Sequence, residues 1–506
     1  MASRMQNAKR NIVSGLILRV VNILLPFVTR TALIYCLGAL YLGLNSLYGS
    51  ILNVLSLAEL GFGSAMVFSM YGPLARNETD TICALLKLYR KIYRIIGCVV
   101  LGIGLIIMPF LSKIIKGEVP VDINIYWLYL LFLGNSTISY FLFAYKQSLL
   151  TADQRSDILN VVNSILAIVS TSIQLCVLLV FKNYYLYCIV WPIFTILNNV
   201  LINYIVNKRY PDYFCKGVLE KEETTEIKKR VAGLFLYKVC YTFRDNFGPI
   251  MISAFIGLTE LAKYNNYWYI ITAITGCIVI LSNSITAGVG NSMATESEKK
   301  NYNDFRIILL LYVWLSIWCT VCLACLFQPF ISLWIGNDYL FGTGLMLLFC
   351  LQFYCSDLGD TCALYRRSAG LWWQDRYRPV VEAVVSLVLS FVLIKRIGVA
   401  GVLLANIFCQ IFINSFWASW VLFKYYFKDY KQSYYIYRIL FYLALGVLTV
   451  AVTYYICQVI PLEGIWLLVV RGAVCIVLPN LIIYPFLKML PEFQDALFTL
   501  KRVIKK

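Results

Sequence analysis

NIVSGLILRVVNILLPFVTRTALIYCL, residues 11–37, is an apolar stretch long enough to cross a bilayer, yet it contains Arg19 and Arg30. A membrane-spanning helix needs about 20 apolar residues. Placing an arginine at the centre of such a helix costs on the order of 2.5–3.5 kcal/mol on insertion scales, so embedded charges usually face a wet cavity. The stretch therefore predicts a transmembrane helix with a polar, functional face.

Similar stretches follow along nearly the whole chain of 506 residues, of which 60% are apolar and 14% charged. Soluble domains contain about 45–50% apolar residues, so the composition predicts an all-α polytopic membrane protein with fourteen transmembrane helices. The predicted spans are residues 11–37, 43–70, 95–115, 123–148, 157–181, 184–206, 231–256, 264–290, 305–334, 341–364, 379–396, 399–423, 437–460 and 465–487.

The basic residues are distributed unevenly between the two sides of the predicted membrane. The net charge is +18, and if the N-terminus is cytoplasmic, most of the 44 Lys and Arg residues fall on that side. This asymmetry follows the positive-inside rule and predicts that both termini lie in the cytoplasm. No hydrophilic segment is long enough to form a nucleic-acid-binding domain, so nucleic acid is not an expected partner.

The hydrophilic segment 207–230 divides six predicted spans from the next six. ALIYCLGALYLGLNSLYG from Ala32 and MISAFIGLTELAKYNNYW from Met251 are similar at an offset of 219 residues, which places Gly38 opposite Gly257. Two six-span halves that begin on the same side predict parallel lobes around a central cavity, as in repeat-built transporters. The predicted organisation is an N-lobe at 1–206, a cytoplasmic linker at 207–230, a C-lobe at 231–424, and two further spans with an amphipathic cytoplasmic tail at 425–506.

Cations are embedded in the equivalent first span of each half. Arg19 and Arg30 are three helical turns apart and would share one face, about 16 Å from each other along the axis. Lys238 and Arg244 lie in span seven. Because guanidinium groups bind phosphate bidentately, these four residues are predicted to bind an anionic, phosphate-bearing substrate. The alternative for Arg244 is a structural pair with Asp245.

Carboxylates inside the spans have two interpretations. In the first, the acids pair with nearby cations, as the acids of span ten would with Arg366 and Arg367. In the second, they couple transport to protons or sodium, since such acids recur in ion relays. The acids assigned to these roles are Glu59, Asp245, Asp357 and Asp360.

Amides and an aromatic ring inside the spans suggest weaker contacts to a sugar. Asn45, Asn265, Asn266 and Trp268 offer hydrogen bonds for hydroxyl groups and a ring for stacking, with interhelical contacts as the alternative. No metal site is predicted, because the CxxCxxC run that ends at Cys325 lies within a span and the chain contains no His. No catalytic residue is expected.

Two long motifs resemble a known family. LGALYLGLNSLYGSILNVLSLAELGFGSAMVFSMYGPLA (37–75) and YRRSAGLWWQDRYRPVVEA (365–383) resemble the Wzx-type polysaccharide flippases of the multidrug/oligosaccharidyl-lipid/polysaccharide exporter superfamily, and the resemblance covers essentially the whole chain. It implies a non-enzymatic flippase that moves undecaprenyl-pyrophosphate-linked oligosaccharide repeat units from the cytoplasmic to the outer leaflet by alternating access. The product would enter capsule, O-antigen or exopolysaccharide synthesis.

The resemblance also implies roles for individual residues. It maps the family's cationic cavity, which would bind the pyrophosphate, onto Arg19 and Arg30, and places Glu59 in the matching AELG motif. The span-seven sequence YTFRDNFGP departs from the family pattern, which leaves the role of Arg244 open.

The expected setting is the bacterial cytoplasmic (inner) membrane. The expected partners of the monomer are the lipid bilayer, the lipid-linked oligosaccharide and other polysaccharide assembly proteins. No cofactor is expected. Energy would come from a proton or sodium gradient or from the membrane potential, which supplies about 2.3 kcal/mol per charge per 100 mV.

Two alternatives remain open. A cation-coupled drug antiporter of the same superfamily would need acids to dominate spans one and seven, where cations are in excess. A membrane polysaccharide polymerase or glycosyltransferase would need large outward loops, and the outward linkers are short.

Overall fold

The computed structural model describes residues 4–56, 62–219 and 239–496, and within these ranges the chain forms helices and turns without a strand. Where the structure describes them, the fourteen predicted stretches coincide with helices or broken helices, which confirms the all-α fold class. Among the described residues, nine helices are long and apolar enough to cross a membrane. A tenth span results if the pair Ile125–Phe141 and Ala144–Ala152, bent by 51°, is counted as one.

The chain divides into two compact units, Met1–Ala262 and Lys263–Lys506, called here the N-terminal and C-terminal units. The lobe boundaries predicted at 206, 230 and 424 remain predictions. The N-terminal unit contains α1 (Arg4–Cys36), α2 (Ala39–Leu55), α3 (Phe62–Arg76), α4 (Thr79–Ile107), α5 (Leu111–Ile114), α6 (Ile125–Phe141), α7 (Gln147–Ala152), α8 (Ser156–Val180), α9 (Tyr184–Arg209), α10 (239–255) and the start of α11 (Leu258–Thr295).

The C-terminal unit contains the rest of α11 and all later helices. A π-helix, Cys409–Ser415, connects α16 (Val399–Phe408) to α17 (Phe416–Tyr425). The helices are α12 (Glu298–Ile335), α13 (Thr343–Leu358), α14 (Asp360–Ser368), α15 (Arg378–Ile397), α16 (Val399–Phe408), α17 (Phe416–Tyr425), α18 (Gln432–Gln458), α19 (Gly464–Lys488) and α20 (491–496).

Side-chain caps begin several of the spans. Asn124 Oδ1 accepts the backbone N–H of Tyr126 at 3.0 Å at the start of α6, and Asn183 Oδ1 accepts the N–H of Leu186 at 3.0 Å at the start of α9. Such caps satisfy N–H groups that lack a partner in the first turn of a helix, and each contributes about 1 kcal/mol. They fix where these spans begin.

The same turn occurs at both ends of the 219-residue offset. Leu33 O accepts the N–H groups of Leu37 and Gly38 at 3.0 and 3.2 Å, and Ile252 O, at the equivalent position, accepts those of Ile256 and Gly257 at 2.9 and 3.0 Å. Both glycines have positive φ, 103° and 140°. Only glycine adopts this region without strain, so the sequence similarity reflects a shared turn between paired helices.

Glu492 fixes the end of the described chain to two earlier helices. Its carboxylate forms ion pairs with Arg306 of α12 at 2.9 Å and with Arg438 of α18 at 3.2 Å, and the residue is only 2% exposed. A buried acid with two arginine partners holds α20 in place. The predicted tail beyond residue 496 lies outside the described residues, as do Glu59 and Lys238.

Candidate functional site

A polar cleft lies within the N-terminal unit, between α1, α2, α6, α8 and α9. It has a smaller part of about 300 Å³ and a larger part of about 580 Å³. Ala167, Ser170 and Trp191 line both parts, so the two parts adjoin each other. The volumes fall near and within the range of about 300–1,000 Å³ that is usual for ligand pockets.

Arg30 lines the smaller part of the cleft. Asn45 from α2, Gln174 from α8 and Tyr187 from α9 line the same part. Gln174 is 3% exposed, and its side-chain nitrogen Nε2 is buried without a hydrogen-bond partner among the described residues. The smaller part therefore combines a guanidinium group with a buried amide donor.

Neutral polar groups line the larger part. Thr195 Oγ1 donates to Asn135 Oδ1 at 2.8 Å, and Asn53 Nδ2 donates to Asn246 Oδ1 of α10 at 3.2 Å. Asn198 Oδ1 is buried and has no hydrogen-bond partner in the described part of the chain. The described lining of this part is Gly49, Leu52, Asn53, Phe132, Asn135, Ser136, Ser139, Asn163, Leu166, Ala167, Ser170, Trp191, Phe194, Thr195 and Asn198.

The helical repeat explains how the sequence builds this lining. On α8, Asn163, Ala167, Ser170 and Gln174 follow one another at intervals of three or four residues, which places them on one face of the helix. The same spacing places Tyr187, Trp191, Thr195 and Asn198 on one face of α9. These polar stripes on apolar helices are a sequence signal that the embedded charges alone do not reveal.

Of the two predicted arginines of α1, the structure places Arg30 in the cleft. Arg19 is half-buried, and the described lining of the cleft does not include it. Its Nε atom is buried without a hydrogen-bond partner among the described residues. The spacing of eleven residues gives both arginines the same helical phase, but the cleft reaches only one of them.

Arg244 pairs with its sequence neighbour Asp245. Both Nε and Nη2 of Arg244 lie 3.0 Å from Asp245 Oδ1, and the guanidinium carbon is 4.7 Å from the centre of the Tyr241 ring. The sequence had suggested this pair as the alternative to substrate binding by Arg244. Asp245 thus offsets the charge of Arg244 in this conformation.

Asp357 is a buried acid of α13. The acid is 2% exposed and accepts a hydrogen bond from Ser316 Oγ of α12 at 3.0 Å. Arg366 binds Asp375 at 2.9 Å. The hydrogen bond described for Asp357 thus comes from Ser316, and both interpretations of this acid remain predictions, while Asp360 lies at the start of α14.

A buried charge cluster lies in the motif 365–383. Asp375 accepts from Arg378 Nε at 2.9 Å and forms an ion pair with Arg366 at 2.9 Å, and Arg378 Nη1 donates to Glu382 at 3.0 Å. Arg378 Nη1 also donates at 2.6 Å to Asn414, which belongs to the π-helix. The cluster ties the loop between α14 and α15 to the π-helix, and it is a structural element of the C-terminal unit.

The remaining predicted sugar contacts belong to α11 in the C-terminal unit, whereas Asn45 belongs to the cleft. Asn266 is fully buried. The rings of Trp268 and Tyr264 are stacked, with centroids 6.2 Å apart. The structure therefore assigns Asn265, Asn266 and Trp268 to a different unit from Arg30.

Three buried thiols converge from separate helices of the C-terminal unit. The sulfur atoms of Cys325, Cys457 and Cys475 lie within 4.8 Å of one another, a spacing at which they could hold a soft metal ion. Arg471 Nη1 donates to Cys325 O at 3.3 Å. Only Cys325 of this group belongs to the CxxCxxC run considered from the sequence.

The overall architecture is that of known membrane transporters. The structure titled lipid II flippase MurJ, inward closed conformation, matches with a TM-score of 0.67 and 14% sequence identity, over 94% of this chain and 98% of that chain. A point mutant of the Vibrio cholerae MATE transporter VcmN matches with a TM-score of 0.56 and 14% identity, over 86% of this chain and 100% of that chain. The chain has the fold of MurJ and the MATE transporters.

Another solved structure with this fold is a multidrug resistance MATE family transporter of the MOP superfamily in an outward-facing conformation. It matches with a TM-score of 0.54 and 11% identity, over 83% of this chain and 95% of that chain. No family model matches the chain, and no curated protein matches it. Since the identities are low, the likeness concerns the fold, and that fold is the one which the resemblance implied.

Proposed function

We propose that the protein is a flippase which moves undecaprenyl-pyrophosphate-linked oligosaccharide repeat units from the cytoplasmic to the outer leaflet of the bacterial inner membrane. The observation that carries the proposal is the composition of the cleft. Arg30 lines it together with amides, hydroxyls and aromatic rings, and no carboxylate is present in its described lining. A guanidinium group suits a pyrophosphate, and the neutral polar groups suit sugars.

The proposed cycle follows from alternating access. The cleft receives the head group from the cytoplasmic side, Arg30 binds the pyrophosphate, and the lipid tail stays in the bilayer. A change to an outward-open state then releases the head group to the outer leaflet. With a potential that is negative inside, each negative charge moved outward gains about 2.3 kcal/mol per 100 mV, so voltage can drive export.

We assign the proposed ion coupling to an acid of the C-terminal unit. Asp357 is a buried acid whose hydrogen bond comes from a neutral hydroxyl. An acid of this kind inside a spanning segment is suited to bind and release a cation during the transport cycle. We propose that Asp357, with Asp360 close by in sequence, helps to reset the empty carrier.

The proposal is tested in the native host after deletion of the chromosomal copy. Arg30→Ala should abolish surface polysaccharide and cause the lipid-linked repeat unit to accumulate on the inner leaflet. Arg76→Ala is the matched control, because this arginine is 64% exposed and pairs with Glu78 at the end of α3. Restoration of surface polysaccharide by the Arg30→Ala variant would overturn the proposal.

A cation-coupled drug antiporter is the second candidate, favoured by the shared fold with the MATE transporter VcmN. Such a carrier would bind cationic drugs, and the arginine in the cleft repels them. Under this alternative, deletion of the gene should sensitise the host to cationic drugs and leave its surface polysaccharide intact.

A further inference from the structure

The larger part of the cleft differs in charge from the smaller part. Arg30 belongs to the smaller part, while the described lining of the larger part consists of amide, hydroxyl, aromatic and aliphatic groups. A carboxylate brought into this part would meet no cation among its described lining residues. Burying a charge without a partner is strongly unfavourable, so the lining favours an uncharged ligand.

Amide side chains line both parts of the cleft. Asn198 Oδ1 is a buried acceptor and Gln174 Nε2 a buried donor, and neither has a hydrogen-bond partner among the described residues. Leaving a buried polar atom unsatisfied is unfavourable. Asn163, half-buried on the same face of α8, adds an amide that carries both a donor and an acceptor. Hydroxyl and acetamido groups are the uncharged partners that such amide side chains bind.

Trp191 lies where the two parts join. Edge-to-face contacts with Phe132 (5.1 Å between ring centroids) and Tyr187 (5.2 Å) hold its ring, and the residue is half-buried. A large ring fixed by its neighbours offers an apolar surface at little entropic cost. Because Trp191 lines both parts, a sugar that stacks on it is adjacent to a phosphate bound at Arg30.

We infer that the larger part of the cleft is a subsite for an uncharged, acetamido- or hydroxyl-rich sugar next to the pyrophosphate. The inference rests on the proposed function, since Arg30 must hold the pyrophosphate for the sugar to reach this part. Trp191 stacks on one face of the sugar, and Asn163, Asn198 and Gln174 bind its polar groups. The subsite rejects a uronic acid at this position of the repeat unit.

Binding to the purified full-length protein in lipid nanodiscs tests the subsite with three probes. These are undecaprenyl pyrophosphate without sugar, the same lipid carrying N-acetylglucosamine, and the same lipid carrying galacturonic acid. The wild type should bind the N-acetylglucosamine lipid at least about tenfold more tightly than the galacturonic acid lipid, a difference of about 1.4 kcal/mol.

Variants test whether the preference for the N-acetylglucosamine lipid arises in the larger part of the cleft. The double variant Asn163→Ala with Asn198→Ala should lose about tenfold in affinity for the N-acetylglucosamine lipid and bind the sugar-free lipid as the wild type does. Retained binding of the sugar-free lipid also shows that the variant is folded. Asn203→Ala is the matched control on α9, because Asn203 accepts from Lys146 outside the cleft.

The outcomes separate the two claims. If the wild type binds none of the three lipids, or if Arg30→Ala changes none of their affinities, the proposed function fails. Suppose instead that Arg30→Ala weakens the binding of all three lipids. If the wild type then does not distinguish the two sugars, or if the double variant binds the N-acetylglucosamine lipid normally, the subsite is overturned and the proposed function stands.

Discussion

Gly43 of α2 lies directly against the backbone of Leu258, the first residue of α11: a Cβ placed on Gly43 would come within 2.3 Å of the Leu258 carbonyl oxygen. Real Cβ atoms do not approach backbone oxygens so closely, so only glycine fits here. Leu258 comes directly after the turn at Gly257. Its contact with Gly43 requires that α2 and the start of α11 lie close together within the N-terminal unit.

Gly43→Ala should therefore destabilise the protein by about 1–3 kcal/mol, because either helix must shift to admit the methyl group. Thermal unfolding of the purified protein in detergent measures the loss. Gly102→Ala is the control, since a Cβ at this exposed position of α4 meets no atom within 4 Å. Equal melting temperatures for the two variants would contradict the close helix crossing.

Arg30→Lys should reduce export by about tenfold and not abolish it. The ammonium group keeps the positive charge, but it lacks the planar pair of donors that binds a phosphate bidentately. The initial rate of transfer of a lipid-linked repeat unit in proteoliposomes measures the effect. Full activity of the lysine variant would show that charge alone suffices, and activity as low as that of Arg30→Ala would show a need for the guanidinium group itself.

Asp375→Asn should cost about 3 kcal/mol of stability. The substitution keeps the shape of the side chain but removes the negative charge shared by Arg366 and Arg378, both of which are buried. Unfolding in increasing denaturing detergent measures the change. Glu296→Gln serves as the control, because its pair with Lys300 is about half exposed and such pairs contribute about 0–1 kcal/mol. An unchanged midpoint for Asp375→Asn would show that the cluster adds no stability.

Asp357→Asn should remove the dependence of transport on an ion gradient and leave substrate binding intact. The neutral amide cannot exchange a proton or a cation, whereas the substrate cleft lies in the other unit. Transport in proteoliposomes with imposed proton, sodium or no gradients measures the coupling, with the exposed Asp338→Asn as control. Wild-type transport that is insensitive to both gradients would exclude this role for Asp357.

The sequence predicted the helices well because each spanning segment carries its own signal. The length and apolarity of a stretch determine whether it crosses a bilayer, and no distant contact is needed. The offset that pairs Gly38 with Gly257 was also visible, since a turn with positive φ needs glycine in both copies.

The site was harder to predict, because it depends on which helices are neighbours. Arg19 and Arg30 share a helical phase, yet only Arg30 lines the described cleft. Asp357 and Arg366 are nine residues apart, which places them on opposite faces of a continuous helix. Asp375 reaches Arg366 because the chain turns back after α14. Asn163, Asn198 and Gln174 carry no charge, so the pattern of embedded ions did not indicate them.

The anchoring of α20 by Glu492 has a practical consequence for engineering this protein. Ending the chain before residue 492 would remove the carboxylate that binds Arg306 of α12 and Arg438 of α18. The guanidinium groups of these two residues would then lose their shared acidic partner. Reporter fusions and affinity tags are therefore best attached after residue 496, so that the ion pairs of Glu492 with Arg306 and Arg438 are kept.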